Sequence, residues 1–333
     1  MRRFLVLLTA CALLAALPVT VAARSGPTSA RGVDPAIAYW TAARIANAIP
    51  RDFIKTSNGK FIPMARPGGG GGVTGKSWPN GGEILERSGR VLFTLGGVDY
   101  ICSASVVDDN SDANYSVIIT AAHCAYDEVA DVFATNWVYY PAFDTSPSYS
   151  CAQATFGCWV GRALVVHHGF ADREAFDDIA VQYDWAFAVV GSGGNGGSIP
   201  AQVDAFGAYG VNVSTTTGPS LGYAFGYPAA GKYHGLDLTY CSGAIGTDPY
   251  NNDNNWKIAC DMTGGSSGGP WLRDTTDPAS NATPGVVFSL NSYGYSGVKA
   301  MHGPKLNANT TTSYNAAKAA APDNSGVDGI LVP

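Results

Sequence analysis

Charge is scarce in this chain. Only 14% of its 333 residues are Asp, Glu, Lys or Arg, and the formal net charge is −6. That leaves no material for a basic stripe along a phosphate backbone or for a polybasic membrane anchor. Neither nucleic acid nor, for the mature protein, a membrane is expected as a partner. Long apolar runs are missing after the first residues, which excludes a later transmembrane helix. No Cys-x-x-Cys pair occurs and histidines number five, so no metal site and no cofactor are expected. Glycine is abundant instead, with 41 residues, alongside 17 Tyr, 13 Phe and 7 Trp. Such a composition suits a β-rich extracellular protein better than a helical cytosolic one. The length allows two compact lobes or one large domain.

The N-terminus has the three parts of a secretory signal. Arg2 and Arg3 supply positive charge, residues 4–17 are apolar, and Val21 and Ala23 are the small residues before a cut at Ala23/Arg24. The apolar stretch is short for a membrane span and Pro18 interrupts it. Residues 24–66 are Ala-rich, with a helix-compatible piece over 34–49. Pro67 and five glycines, Gly68 to Gly72, follow and have the composition of a flexible linker. Residues 24–77 are therefore expected to be a pro-segment and linker, the alternative being an extension that stays attached. The remaining chain, 78–333, is the expected folded domain.

Cys11 leaves with the signal, so six cysteines remain: Cys102, Cys124, Cys151, Cys158, Cys241 and Cys260. An even number in an exported chain argues for disulfides. Neighbour pairing gives 102–124, 151–158 and 241–260, one of the 15 connectivities that six cysteines allow.

From Ser88 on, short runs rich in β-branched and aromatic residues alternate with Gly, Asp and Asn clusters. One set covers 91–95, 100–107, 117–122, 137–140 and 185–190. A Gly- and Ser-rich break follows at 191–198, then a second set at 221–225, 236–241, 256–260, 271–272 and 286–290. Two such groups predict two β lobes, about 89–190 and 199–310. Residues 313–320 predict a short C-terminal helix with Ser313 as its cap.

Three features carry chemistry, in the order His, Asp, Ser. An apolar strand ends at Thr120-Ala121-Ala122-His123-Cys124, placing beside a cysteine the one side chain whose ordinary pKa suits a general base at neutral pH. Asp184 opens the apolar run Trp185-Ala186-Phe187-Ala188-Val189-Val190. A carboxylate there needs a partner, and a histidine Nδ1–H is a fitting one. Asp178, ahead of Ile179-Ala180-Val181, has the same local shape, but its apolar run is shorter. The third feature is Gly264-Gly265-Ser266-Ser267-Gly268-Gly269-Pro270. Its glycines permit a sharp turn that exposes a serine Oγ and aims backbone amides, those of Gly265 and Ser267, at one point.

Together these motifs, with Cys102-Ser103-Ala104-Ser105-Val106-Val107, resemble the trypsin/chymotrypsin-type serine peptidases, closest to secreted bacterial or fungal members including the glutamyl-endopeptidase-like branch. The His…Asp…Ser order agrees with that family, and the resemblance spans about 89–320. It implies an all-β fold of two antiparallel six-stranded barrels with a cleft between them. It implies hydrolysis of peptide bonds through an acyl-enzyme, with His123 as base, Asp184 orienting it and Ser267 as nucleophile. The amides of Gly265 and Ser267 would form the oxyanion hole. Ser292, Tyr293 and Gly294 would wall the first specificity pocket and pair backbone to backbone with substrate. The implied partners are protein or peptide substrates and proteinaceous inhibitors, for a secreted monomer. The alternative is a catalytically silent secreted binding protein on the same fold.

Two positions depart from the family. Its members with salt-bridge activation carry Asp just before the nucleophile; here that residue is Ser266, so no ion pair to a new amino terminus is expected. Asp261 stands six residues before Ser267, where a carboxylate at the pocket base would select Lys or Arg, but Cys260 sits two places earlier than the family's usual cysteine. A Glu or Asp preference would need a histidine in the pocket wall, and His302 is the nearest. A small or aromatic preference stays open.

Overall fold

Six strands of the first lobe close on themselves. In the computed structural model Ser88–Leu95, Val98–Val107, Ser116–Thr120, Ala186–Val190, Trp159–His167 and Thr135–Pro141 each pair antiparallel with the next, and the last pairs with the first. The structure describes residues 33–63, 73–109, 115–143, 150–194, 202–214, 217–275, 284–323 and 325–333. The signal at 1–23, the Gly68–Gly72 run and the second half of the Gly/Ser break lie outside the described residues.

Alternation along each barrel strand feeds two cores. Val91, Phe93, Ile118, Trp137, Trp159 and Leu164 belong to one buried cluster, while Leu92, Val117, Ile119, Val138 and Val165 belong to another. Because both faces are buried, the sequence shows continuous apolar runs rather than strict alternation. The Trp159–His167 strand escaped prediction. Gly161 and Arg162 break its pattern, and the pairing slips between Gly161 and Ala163. Trp137 lies over Gly161, where a Cβ would come within 3.0 Å of its ring.

The second lobe consists of two sheets. Gly222–Gly226, Thr239–Gly243, Pro270–Arg273 and Val286–Leu290 build one, and Ile245–Thr247, Asn255–Ala259, Ala300–Pro304 and Tyr293–Tyr295 build the other. The mainly β architecture with a closed six-stranded antiparallel barrel agrees with the fold that the resemblance implies, and the C-terminal helix with the Ala-rich run near the end. Three disulfides, Cys102–Cys124, Cys151–Cys158 and Cys241–Cys260, join the neighbouring cysteines. Among the described residues no helix is long and apolar enough to cross a membrane.

The C-terminal helix corrects the reading of its start. It spans Ala308–Ala319 and its cap is Asn307, whose side chain accepts from the Asn309 amide and forms a capping box with Thr310. Ser313 lies inside the helix instead, accepting from the buried Trp185 indole N–H at 3.3 Å. A final strand, Asp328–Val332, runs parallel to Trp159–His167 and was not anticipated.

The N-terminal region is packed into the same unit, which runs from Pro35 to Pro333. The helix-compatible piece becomes two short helices, Pro35–Tyr39 and Ala42–Asn47, with Thr41 capping the second. Trp40 and Ile45 join the main buried cluster, and the Trp40 indole donates to the Asn136 carbonyl at 2.6 Å. Three short strands follow, Ile49–Pro50, Phe53–Lys55 and Phe61–Pro63.

Replacing Asn307 by Ala should lower stability by about 1 kcal/mol, the usual worth of such a cap. Urea unfolding measures it. A loss under a few tenths would mean that packing alone holds the helix.

Candidate active site

The apolar strand Ser116–Thr120 ends in a single 3-10 turn, Ala122–Cys124, which carries His123. The Cys102–Cys124 disulfide ties that turn to the adjacent strand. On the neighbouring barrel strand the chain leaves another 3-10 turn at Gln182 and enters Ala186–Val190, with Asp184 in between. Both side chains are fully buried, at 0% exposure. Asp184 accepts from the His123 backbone amide at 2.9 Å and from Nδ1 at 2.8 Å. It also accepts from Ser292 Oγ, 2.5 Å away and supplied by the second lobe. Three donors surround one carboxylate, the condition for keeping a charge out of water. The competing Asp178 is not part of this group: it faces Lys55, 2.6 Å from Nζ.

Ser267 sits on the turn before Pro270–Arg273. Two glycines of the motif are required by geometry. Gly265 has φ +97° and a Cβ there would lie 2.8 Å from the Tyr227 carbonyl; Gly268 has φ +80° and a Cβ would lie 2.1 Å from Thr120 Oγ1. L side chains rarely adopt that backbone region. The turn is then pinned from outside. The Ser103 hydroxyl donates to the Gly265 carbonyl and accepts from the Tyr227 amide, both at 2.8 Å. The Ser103 amide donates to the Ser267 carbonyl at 2.7 Å. Asn291 Nδ2 donates to the carbonyls of Phe225 and Ser266, at 2.6 and 2.9 Å, while its Oδ1 accepts from the Trp271 indole at 2.6 Å. Ser103 belongs to the Cys102–Val107 run and Asn291 directly precedes Ser292, but nothing local in the sequence marks either as a strut; their partners are distant in the chain. Ser266 is buried and its hydroxyl donates to Thr263.

Asp261 is held differently from the expected pocket base. Its carboxylate accepts from Lys232 Nζ at 2.6 Å, Tyr233 OH at 2.5 Å and the Gly75 amide at 2.8 Å. Burial works against its charge, but the bonds from Lys232, Tyr233 and Gly75 outweigh burial and hold it below the ordinary carboxylate range. It therefore offers no unpaired charge to a cationic side chain. His302 is buried and stacked on Tyr293 with ring centroids 5.2 Å apart. Tyr293 OH donates to Asp248 at 2.6 Å.

The strand that follows Ser292 has a pairing partner in the N-terminal region. Phe53–Lys55 pairs parallel with Tyr293–Tyr295, Phe53 opposite Tyr293 and Ile54 opposite Gly294. Just before it, Ile49–Pro50 pairs parallel with Tyr100–Ile101 of the first barrel. Between these anchors the Arg51 carbonyl oxygen lies 3.1 Å from His123 Nε2, and Asp52 Oδ1 accepts from Ser267 Oγ at 3.0 Å. The N-terminal segment thus crosses the site from one lobe to the other. Among the described residues the one cluster of potential metal donors is Cys102, His123 and Cys124, and its cysteines are joined in the disulfide.

No protein-family model matches the chain, and no curated protein matches it in sequence. Solved structures do. The protease Anisep from Arthrobacter nicotinovorans is 34% identical, with a TM-score of 0.57, and the match covers 71% of this chain and 97% of that one. A thermostable serine protease, AL20, from an extremophilic microorganism is 30% identical, with a TM-score of 0.58, covering 72% and 100%. A Glu endopeptidase structure, 18% identical over 75% and 99% with a TM-score of 0.53, shares the fold. With identity of that order over nearly the whole of two relatives, the chain belongs to the trypsin/chymotrypsin-type serine proteases.

Proposed function

We propose that the protein is a secreted serine endopeptidase that cleaves peptide bonds through an acyl-enzyme on Ser267. The observation that carries this reading is the buried Asp184 carboxylate bonded to both the amide and Nδ1 of His123. That contact fixes the ring so that Nε2 can serve the serine. In the reaction His123 takes the Ser267 proton as Oγ attacks the substrate carbonyl, then gives it to the leaving amine. The amides of Gly265 and Ser267 receive the oxyanion, an interaction worth on the order of 3 kcal/mol for each donor. Water then hydrolyses the ester by the same route. Residues 1–23 act as the export signal and 24–77 as the pro-segment and linker. The three disulfides fit an oxidising compartment.

A fluorophosphonate probe tests the core of this reading. Once the N-terminal segment has been removed, wild-type protein should label at Ser267 and Ser267→Ala should not. Peptide hydrolysis should fall by at least about 10⁴-fold in Ser267→Ala and by about 10⁴-fold in Asp184→Asn. Wild-type protein that stays unlabelled after processing would remove the proposal.

Asp261 is better read as a strut than as a selector of basic residues. Its carboxyl is held low, so its bonds stabilise the charged form. That contribution is full above about pH 4, the ordinary carboxyl value, and is lost as pH falls through the lowered native value. Asp261→Asn should therefore be less stable than wild type at pH 7, with the gap narrowing as pH falls below the ordinary carboxyl value of about 4. Urea unfolding across that range measures it. Discrimination between Lys and neutral residues at the cleavage site should be unchanged by the same substitution.

A further inference from the structure

The segment at the catalytic centre runs the wrong way for a substrate. On the endopeptidase reading, the residue whose carbonyl is attacked would lie beside Ser292–Gly294, and the leaving amine on the opposite side, toward Tyr100 and Ile101 of the Val98–Val107 strand. A substrate read from its N-terminus therefore passes from the second lobe to the first. Residues 49–55 pass from the first to the second, since Ile49–Pro50 lie on Tyr100–Ile101 and Phe53–Lys55 lie on Tyr293–Tyr295. Two separate ladders set this direction, one on each lobe.

We propose that the substrate groove is also a receptor for a peptide of reversed polarity, that residues 49–55 are its built-in ligand, and that this ligand silences the enzyme without being cut. The proposal rests on the endopeptidase reading above. In this direction no peptide carbonyl is offered to Ser267 with its leaving nitrogen beside His123. What Ser267 Oγ meets is the Asp52 carboxylate, whose charge and resonance make it a poor electrophile. The hydroxyl proton points at that carboxylate, and His123 Nε2 is turned to the Arg51 carbonyl. Nucleophile and base are both engaged by the ligand instead of by each other.

Side chains on either side of Asp52 fit the groove chemically. Arg51 lies between Asp127 and Glu128, at 3.3 and 3.8 Å, with its guanidinium almost wholly buried. Phe53 stacks on Phe176 with centroids 4.0 Å apart and meets the His123 ring edge-on at 5.5 Å. Lys55 reaches Asp178, and its carbonyl accepts from the Ser296 amide at 3.0 Å. Such a groove selects an extended Arg-Asp-Phe-x-Lys pattern, with cations at both ends, an aromatic ring at the centre and a carboxylate at the nucleophile.

Fluorophosphonate labelling of the intact full chain tests this. Wild type should label at least tenfold more slowly than the same protein after removal of residues up to 63. Lys55→Asp in the full chain should speed labelling through repulsion from Asp178, and adding Asp178→Lys should slow it again. Arg51→Ala with Phe53→Ala should approach the processed rate. Mass spectrometry should find every bond from 49 to 55 intact while the active enzyme cuts other peptides. Intact wild type that labels as fast as processed protein, or a Ser267-dependent cut between 51 and 54, overturns the reversed ligand and leaves the endopeptidase reading standing. Processed protein that never labels overturns both.

Discussion

The structure turns on one buried charge. Asp184 is a carboxylate without access to water, and removing such a group from solvent costs several kcal/mol unless donors replace the lost hydration. Two of its donors come from His123 on the first barrel, and the third, the Ser292 hydroxyl, comes from the second lobe. The lobes are therefore coupled at the site itself. A displacement that pulled Ser292 away would leave the carboxylate short of a donor just where the imidazole depends on it. The remaining framework follows from this demand. The barrel strands that carry His123 and Asp184 are neighbours in register, with Thr120 opposite Ala186, and the Cys102–Cys124 bridge limits movement of the histidine turn.

The serine turn poses a second problem, how to hold Ser267 and its neighbouring amides in place without a regular element. Two positive-φ glycines make the bend, but glycines cannot fix it, because they lose more conformational freedom on ordering than other residues. Rigidity is supplied by Ser103, on a barrel strand, and Asn291, in the connection after Val286–Leu290, whose side chains bond the turn's carbonyls. Each such bond contributes only about 1 kcal/mol net. Losing one partner costs more, since it strands a buried carbonyl. The site is therefore over-determined by polar contacts within an otherwise apolar interior.

Much of this was legible because chemistry and context coincide over a few adjacent residues. His123 beside Cys124 after an apolar strand, and Ser267 among glycines, announce themselves locally. Asp184 and Asp178 could be separated only by the length of the apolar run behind each, a proxy for burial. In the structure the former is wholly buried and the latter half-exposed beside Lys55. Asp261 shows the limit of that reasoning. Its offset from Ser267 suggested a pocket base, yet Lys232, Tyr233 and Gly75, all remote in sequence, consume its charge. The strands over 49–55 were illegible for a related reason. They are two and three residues long and exist only because distant strand edges are available to pair with, so no local periodicity could reveal them. Ser313 was misjudged because the Ala-rich run begins near it, whereas the capping bonds lie a turn and a half earlier.

The energetics of the N-terminal segment explain how contacts this good can still be released. Burying Phe53 contributes about 2–3 kcal/mol and its stacking about 1 more. Of the flanking ion pairs, Lys55–Asp178 is half solvated and adds little, while Arg51–Glu128 is buried and its attraction is largely offset by the cost of desolvating both charges. Against this stands the cost of ordering each backbone residue, about 1–2 kcal/mol. A short peptide making only these contacts would hold the groove weakly. Joined to the rest of the chain, the same peptide is present at an effective concentration in the millimolar range, and the helices carrying Trp40 and Ile45 add apolar anchorage. Cutting the chain after residue 63 removes the concentration term at the C-terminal end while leaving every contact in place. Occupancy then depends on dilution and on the hold of the two helices. On the reversed-ligand proposal the occupant needs no weakening of its own contacts to leave, and its backward course would keep Ser267 from cutting it.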